Sequence, residues 1–506
     1  MKTRNANVDR GLTGRFGTCT RRTMLGTTVA TLGSLLMPGR AQADDARDYL
    51  NGAVAFSFTA LGTPRVYGTM DAAIEAGCEG SVVYLCVDWL LADALTVTSG
   101  QSLTLDLNGH AINAQASGPA VHVCENASLT LQSASASGTR SFDYDGIDAE
   151  TGEGVAASVM SGGLVAGGDG DAGGALLDAG ATLTLDNVAM VGNRGTKAGG
   201  VLAGKNCNVY LQNGASIRHN SGDAGGIRVT GEDVNIYLDG ASLAENHASG
   251  RGGAVRSDAD GTRIYLENGS SVSGNYAAEG GGALFFRDSW FCVCSSDRTG
   301  SVRGNKTAGC GGAVGTYSVV MSSNNGELYG IDFSENHADK DCGAIELRQS
   351  NVSIMSCGFT DNTAGGDVGA IRLGLECDAT MEDCSVENNR CGAQGAGGGI
   401  VCNERVELTL GGACLVENNT RGESGAADNL RLGERRVLFS EEVALVKGEV
   451  GAGSRIGITA VNESGTMPDE RKVGEGIAAG SGGVFFSDVG GYGVAVENGE
   501  LWWRKG

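Results

Sequence analysis

Two markers that keep step with each other along the middle of the chain limit its fold more than any other feature. The first is Gly-Gly followed by a small residue and an aliphatic, as in Gly199-Gly200-Val201-Leu202, Gly252-Gly253-Ala254-Val255 and Gly281-Gly282-Ala283-Leu284. Its second glycine falls at 174, 200, 226, 253, 282, 312, 343, 369 and 399, a period of 26 to 31 residues. The second marker is an asparagine that closes each repeat: Asn193, Asn220, Asn246, Asn275, Asn305, Asn336, Asn362, Asn389 and Asn419. The gap from this Asn to the next second glycine is six or seven residues, lengthening only after Asn389. Such a period belongs to stacked repeat architectures, in which each unit buries its apolar face only against its neighbours.

Between the markers the pattern alternates with period two, which is a strand pattern. Val209-Tyr210-Leu211, Ile236-Tyr237-Leu238 and Ile264-Tyr265-Leu266 are each followed by turn residues, such as Asp239-Gly240 and Asn268-Gly269. A further short strand follows, as in Ser242-Leu243 and Ser271-Val272. One repeat therefore holds about three short strands and no helix. The expected fold is all-β, a right-handed parallel β-helix whose coils stack about 4.8 Å apart. Inward Val, Ile and Leu form ladders. The glycines serve a corner that needs positive φ or close backbone approach. The repeated Asn lines another corner, its amide bonding to neighbouring coils. Composition agrees: of 506 residues, 85 are Gly, only 4 are Pro, and aromatics are 5% against 41% hydrophobic. A thin solenoid core has little room for rings.

The ends read differently. Residues 1–43 have the features of an export signal: Arg21-Arg22, an apolar run from Met24 to Met37 and the small-residue site Ala41-Gln42-Ala43. The arginine pair resembles a twin-arginine signal. The expected location is therefore extracellular or the cell surface, and no segment beyond residue 43 reads as transmembrane. Residues 44–80 form an N-terminal cap, with a short helix over Asp71 to Ala76. The β-helix covers 81–435, with clear repeats over about 160–420, and 436–506 form a β-rich C-terminal cap.

Charge excludes one class of partner. The net charge is −23. Removing seven basic residues and Asp9 with the signal makes it −23 − 6 = −29. Nothing here neutralises phosphates, so nucleic acid is not an expected partner.

No catalytic residues are assigned. The acidic residues are scattered, and no paired-carboxylate motif is evident. Among the histidines, His219, His247 and His337 flank the repeat Asn, a turn position with a structural role. No cofactor is expected. Gly167-Gly168-Asp169-Gly170-Asp171 has the composition of a calcium turn, but the nonapeptide iteration of calcium-binding rolls is missing. No Cys-x2-Cys knuckle points to zinc, and Cys292-Val293-Cys294 stands alone. Cys357, Cys384 and Cys414 share one register, so stacked coils bring them either to disulfide distance or into a ladder of core thiols.

The binding candidates are aromatic. Alternation turns Tyr210, Tyr237 and Tyr265 outward as a stack on one face. Phe286, Trp290 and Phe291 lie in a longer coil beside them, where insertions tend to build a binding face. The competing role for all six is packing beneath the insertions.

Gly-Gly-Ala-aliphatic with Phe-x-x-Asn, present literally as Phe333-Ser334-Glu335-Asn336 and Phe359-Thr360-Asp361-Asn362, resembles the repeats of polymorphic outer-membrane proteins, common in chlamydial adhesins. The resemblance covers about 160–420. It implies a right-handed, pectin-lyase-like β-helix with an adhesive or surface-display role, and a host or cell-surface glycan or protein as partner. The chlamydial proteins carry an autotransporter barrel that is not read here, so anchoring would differ. Because many β-helices act on polysaccharides, a lyase or glycoside hydrolase is the alternative.

Overall fold

The computed structural model describes residues 53–506, apart from 60–61, 116, short stretches between 135 and 157, 318–323, 375–376, 393–394, 404–405 and single or paired positions between 438 and 480. The export signal expected at 1–43 lies outside the described residues. The chain is a parallel β-solenoid of about 12 turns.

One coil shows how the repeat folds. Ile227–Val229 follows the Gly-Gly corner, Asn235–Asp239 forms the long wall, and Ser242–Ala244 the next wall. A fourth strand of two residues, His247–Ala248, follows the repeat Asn; it is too short to announce itself by alternation. Each strand pairs in parallel with its counterpart one coil on: Ile227 with Val255, Ile236 with Ile264, Leu243 with Val272, His247 with Tyr276. In-register stacking places like on like, so these aliphatics make continuous inward columns. All six are fully buried. At ~25 cal/mol per Å² of apolar surface, such burial is the main stabilising term.

The asparagines form a second continuous column inside the solenoid, all nine without solvent exposure. Asn275 shows the pattern. Its Oδ1 accepts from the backbone N–H and from Nδ2 of Asn246, both at 3.0 Å. Its own Nδ2 donates to the Leu243 carbonyl at 3.0 Å and to Asn305 Oδ1 at 2.9 Å. The pattern repeats rung by rung from Asn193 to Asn419. It then continues onto Asn429, whose N–H and Nδ2 donate to Asp488. Buried backbone at a corner needs such partners, and the amide supplies donor and acceptor together.

The residue before each of these asparagines has left-handed backbone: Gly192, His219, Glu245, Gly274, Gly304, Glu335, Asp361, Asn388 and Asn418. This turns the chain into the corner. The Gly-Gly corner works otherwise. A Cβ on Gly282 would sit 2.1 Å from the Gly312 carbonyl oxygen, and one on Gly312 2.1 Å from that of Gly343. The second glycine is thus fixed by close approach between coils. The first takes positive φ at Gly252, Gly281 and Gly311, and Cys342 and Val368 keep that conformation where they replace it.

At the N-terminal end a hairpin, Ala55–Phe58 with Pro64–Tyr67, pairs antiparallel onto Val82–Leu85. The helix Met70–Cys78, whose N-cap Thr69 accepts from the Ala72 N–H, buries Ala73 and Ala76. These elements cover the open edge of the first coil. At the other end, parallel stacking continues past residue 435 through Leu430 with Ile458 and Ile456 with Phe485. The chain then closes in an antiparallel meander of Glu470–Glu475, Glu500–Lys505 and Tyr492–Glu497, with Trp503 fully buried.

Candidate functional site

The long wall carries the sequence-predicted tyrosines on its outer face. Tyr210 pairs with Tyr237 and Tyr237 with Tyr265 in register. Their rings lie 4.8 Å apart at 6° and 8°, each half-buried on its edges. The ring spacing is the strand spacing, so the backbone sets the stack. Burial raises the Tyr210 hydroxyl above its ordinary pKa, with Tyr237 adding to the effect.

Two columns flank this strip. On one side stand Asn208, Asn235 and Arg263. The Arg263 guanidinium lies over the Trp290 ring, 5.0 Å from its centre, which extends the aromatic surface by one coil. On the other side run Asp186, Gln212, Asp239 and Glu267. Gln212 donates to Asp186 at 2.9 Å. The strip is therefore flat, aromatic and bordered by amides and carboxylates. Its next rung is the Cys292–Cys294 disulfide, which links the Arg263 column to the tyrosine column.

Phe286 and Phe291 require a correction. Both are fully buried, stacked on each other at 4.2 Å. Alternation continues through the longer coil: Leu284 and Phe286 point inward, as do Phe291 and Val293. Of the three aromatics expected on this insertion, only Trp290 is partly exposed. Cys357, Cys384 and Cys414 are buried and unbridged, each Sγ against backbone carbonyls. Burial pushes Cys357 up to about 11 and Cys384 up to about 12. In the stretch with calcium-turn composition, Asp171 is taken by Lys197 at 2.8 Å and Thr196 at 2.7 Å.

The wall after the Gly-Gly corner shows what the sequence concealed. Acidic residues scattered along the chain are gathered there with arginines of their own and of neighbouring coils. Asp258 pairs with Arg228, Arg256 and Arg287, each at 3.0 Å. Asp223 pairs with Arg256 at 2.9 Å. Farther along, Glu346 pairs with Arg348 at 2.7 Å, and fully buried Asp428 with Arg431 at 2.5 Å and Arg421 at 3.0 Å. Partners one coil apart are far apart in sequence and form no local motif. His219 pairs with Glu245 at 2.7 Å, and His247 stacks on Tyr276 at 4.9 Å. His337 bonds Thr363 at 2.8 Å. The histidines beside the repeat Asn are thus engaged with neighbouring coils.

Among the described residues, no helix is long and apolar enough to cross a membrane. No protein-family model matches this chain, and no curated protein matches it.

Proposed function

We propose that this chain is an exported, adhesin-like β-solenoid that presents the Tyr210–Tyr237–Tyr265 strip to a glycan at a cell surface. The observation that carries the reading is the strip itself: three parallel, half-exposed rings with Trp290 beyond them and an amide and carboxylate rail alongside. Flat rings suit the apolar faces of sugars, and the rail offers acceptors and donors for hydroxyls. The likeness to polymorphic outer-membrane protein repeats supports surface display, and Arg21-Arg22 with Ala41-Gln42-Ala43 supports export.

The test is a glycan array probed with the purified protein, with Tyr237→Ala and, on a different wall, Tyr317→Ala. The expected result is a glycan bound by the wild type and by Tyr317→Ala, with at least about tenfold weaker binding by Tyr237→Ala, equivalent to about 1.4 kcal/mol. Absence of glycan binding, or binding indifferent to Tyr237→Ala, refutes the strip as the site. Release of unsaturated or reducing sugars from acidic polysaccharides would instead establish the enzyme alternative.

A further inference from the structure

His122 and Cys124 stand two residues apart at the end of the strand Val121–Val123, so both side chains leave the coil on its outer side. Asp178 occupies the rung above Cys124, its N–H donating to the Val123 carbonyl at 3.0 Å. The three residues meet from two coils. His122 Nε2 lies 2.9 Å from Asp178 Oδ2 and 4.0 Å from Cys124 Sγ, and all three candidate ligand atoms lie within 4.8 Å of one another.

Zinc bonds of about 2.0–2.3 Å give a tetrahedron with edges of about 3.3–3.8 Å. The observed 2.9 and 4.0 Å separations bracket that range, so small side-chain rotations would bring three ligands onto one ion. The donor set is one imidazole, one thiol and one carboxylate. That mixture suits borderline-soft zinc and not the all-oxygen preference of calcium or magnesium. A thiolate and a carboxylate together balance a divalent charge.

The surroundings leave a fourth position. The His122 and Asp178 side chains are 29% and 42% exposed. The next rung above Asp178 is Gly204, whose N–H donates to the Leu177 carbonyl at 2.9 Å. It has no side chain to cover the cluster. The adjacent Lys205 is held by Glu232 at 2.7 Å.

We propose that His122 Nε2, Cys124 Sγ and an Asp178 carboxylate oxygen bind one zinc ion, with the fourth position open to water. Three protein ligands and an open position describe a reactive or bridging site, not a closed structural one. It lies on a different wall from the tyrosine strip and does not depend on that strip's role.

The test uses the full chain, reduced and stripped of metal, titrated with Co²⁺ and then with Zn²⁺. One equivalent of Co²⁺ should give the thiolate-to-cobalt charge-transfer band and tetrahedral ligand-field absorption, both abolished by Zn²⁺. Cys124→Ser should lose the band. Asp178→Asn, an isosteric change, should weaken affinity by more than the roughly 10–100-fold that losing a supporting partner costs. Cys310→Ser, a half-buried thiol on another coil, should leave both unchanged. Should Cys124→Ser fail to fold by circular dichroism, Asp178→Asn decides the matter. Failure of the wild type to bind Co²⁺ stoichiometrically overturns the site. A band that survives in folded Cys124→Ser, or an unchanged affinity in Asp178→Asn, overturns it equally.

Discussion

Replacing Asn275 with alanine removes one rung of the buried amide column. Asn246 then loses the acceptor of its backbone N–H and one acceptor of its Nδ2, both now at 3.0 Å from Asn275 Oδ1. The Leu243 carbonyl loses a donor at 3.0 Å, and Asn305 Oδ1 one at 2.9 Å. Asn305 Oδ1 keeps the Asn275 backbone N–H at 3.0 Å, and Asn246 Nδ2 keeps the Ile217 carbonyl at 2.9 Å. A buried polar group left without a partner costs about 1–3 kcal/mol. With about two groups orphaned, the expected loss is about 2–6 kcal/mol. Asn235→Ala is the comparison. It removes one half-buried bond, Nδ2 to Asn208 Oδ1 at 3.0 Å, and should cost about 0.5–1.5 kcal/mol. Urea unfolding measures the totals. Native-state hydrogen exchange measures their reach, because a solenoid couples chiefly nearest neighbours. Amides of the coils holding Asn246 and Asn305 should exchange faster, while those around Leu129 should not change. A cost below about 1 kcal/mol, or one equal to that of Asn235→Ala, would refute the column as a stabilising element.

Three further outcomes are expected. The hydrogen bond from His219, with Arg218 adding its charge, holds Glu245 at about 2, against an ordinary 4.5. Its contribution to stability is therefore complete above pH 4.5 and lost as pH falls toward 2; unfolding followed across that window should show a dependence that Glu245→Gln reduces. Asp428→Ala leaves Arg431 buried without its carboxylate and should cost about 3–5 kcal/mol in urea unfolding. Iodoacetamide on the native protein should modify the partly exposed Cys78 and Cys86 and spare Cys357 and Cys384, whose thiols burial pushes up to about 11 and about 12. Rapid native-state modification of Cys384 would contradict the packed corner.

What was legible in the sequence is what recurs at one register. The nine asparagines and the second glycines repeat because every coil imposes the same demand on them, a buried amide at one corner and no Cβ at another. The outward tyrosines follow from alternation alone. What stayed hidden either varies in residue type or joins different coils. The left-handed residue before each asparagine is Gly, His, Glu, Asp or Asn, so it makes no motif. Asp258 meets Arg228 and Arg287, and Asp178 meets His122, only after the chain has wound through at least one coil. The continuation of the amide column to Asn429 and Asp488 is hidden because the spacing there leaves the repeat period. Phe286 and Phe291 were legible in principle. Phe291-x-Val293 keeps the alternation of Thr262-x-Ile264, with which it pairs, and so points inward.

Hydroxyl-radical footprinting of the protein on its target cells, read by mass spectrometry at each aromatic side chain, locates the docking surface directly. Docking through the tyrosine strip protects Tyr210, Tyr237, Tyr265 and Trp290, with no change at Tyr317 on the other wall. Protection at Tyr317, with the tyrosine strip as reactive as in the free protein, would contradict it.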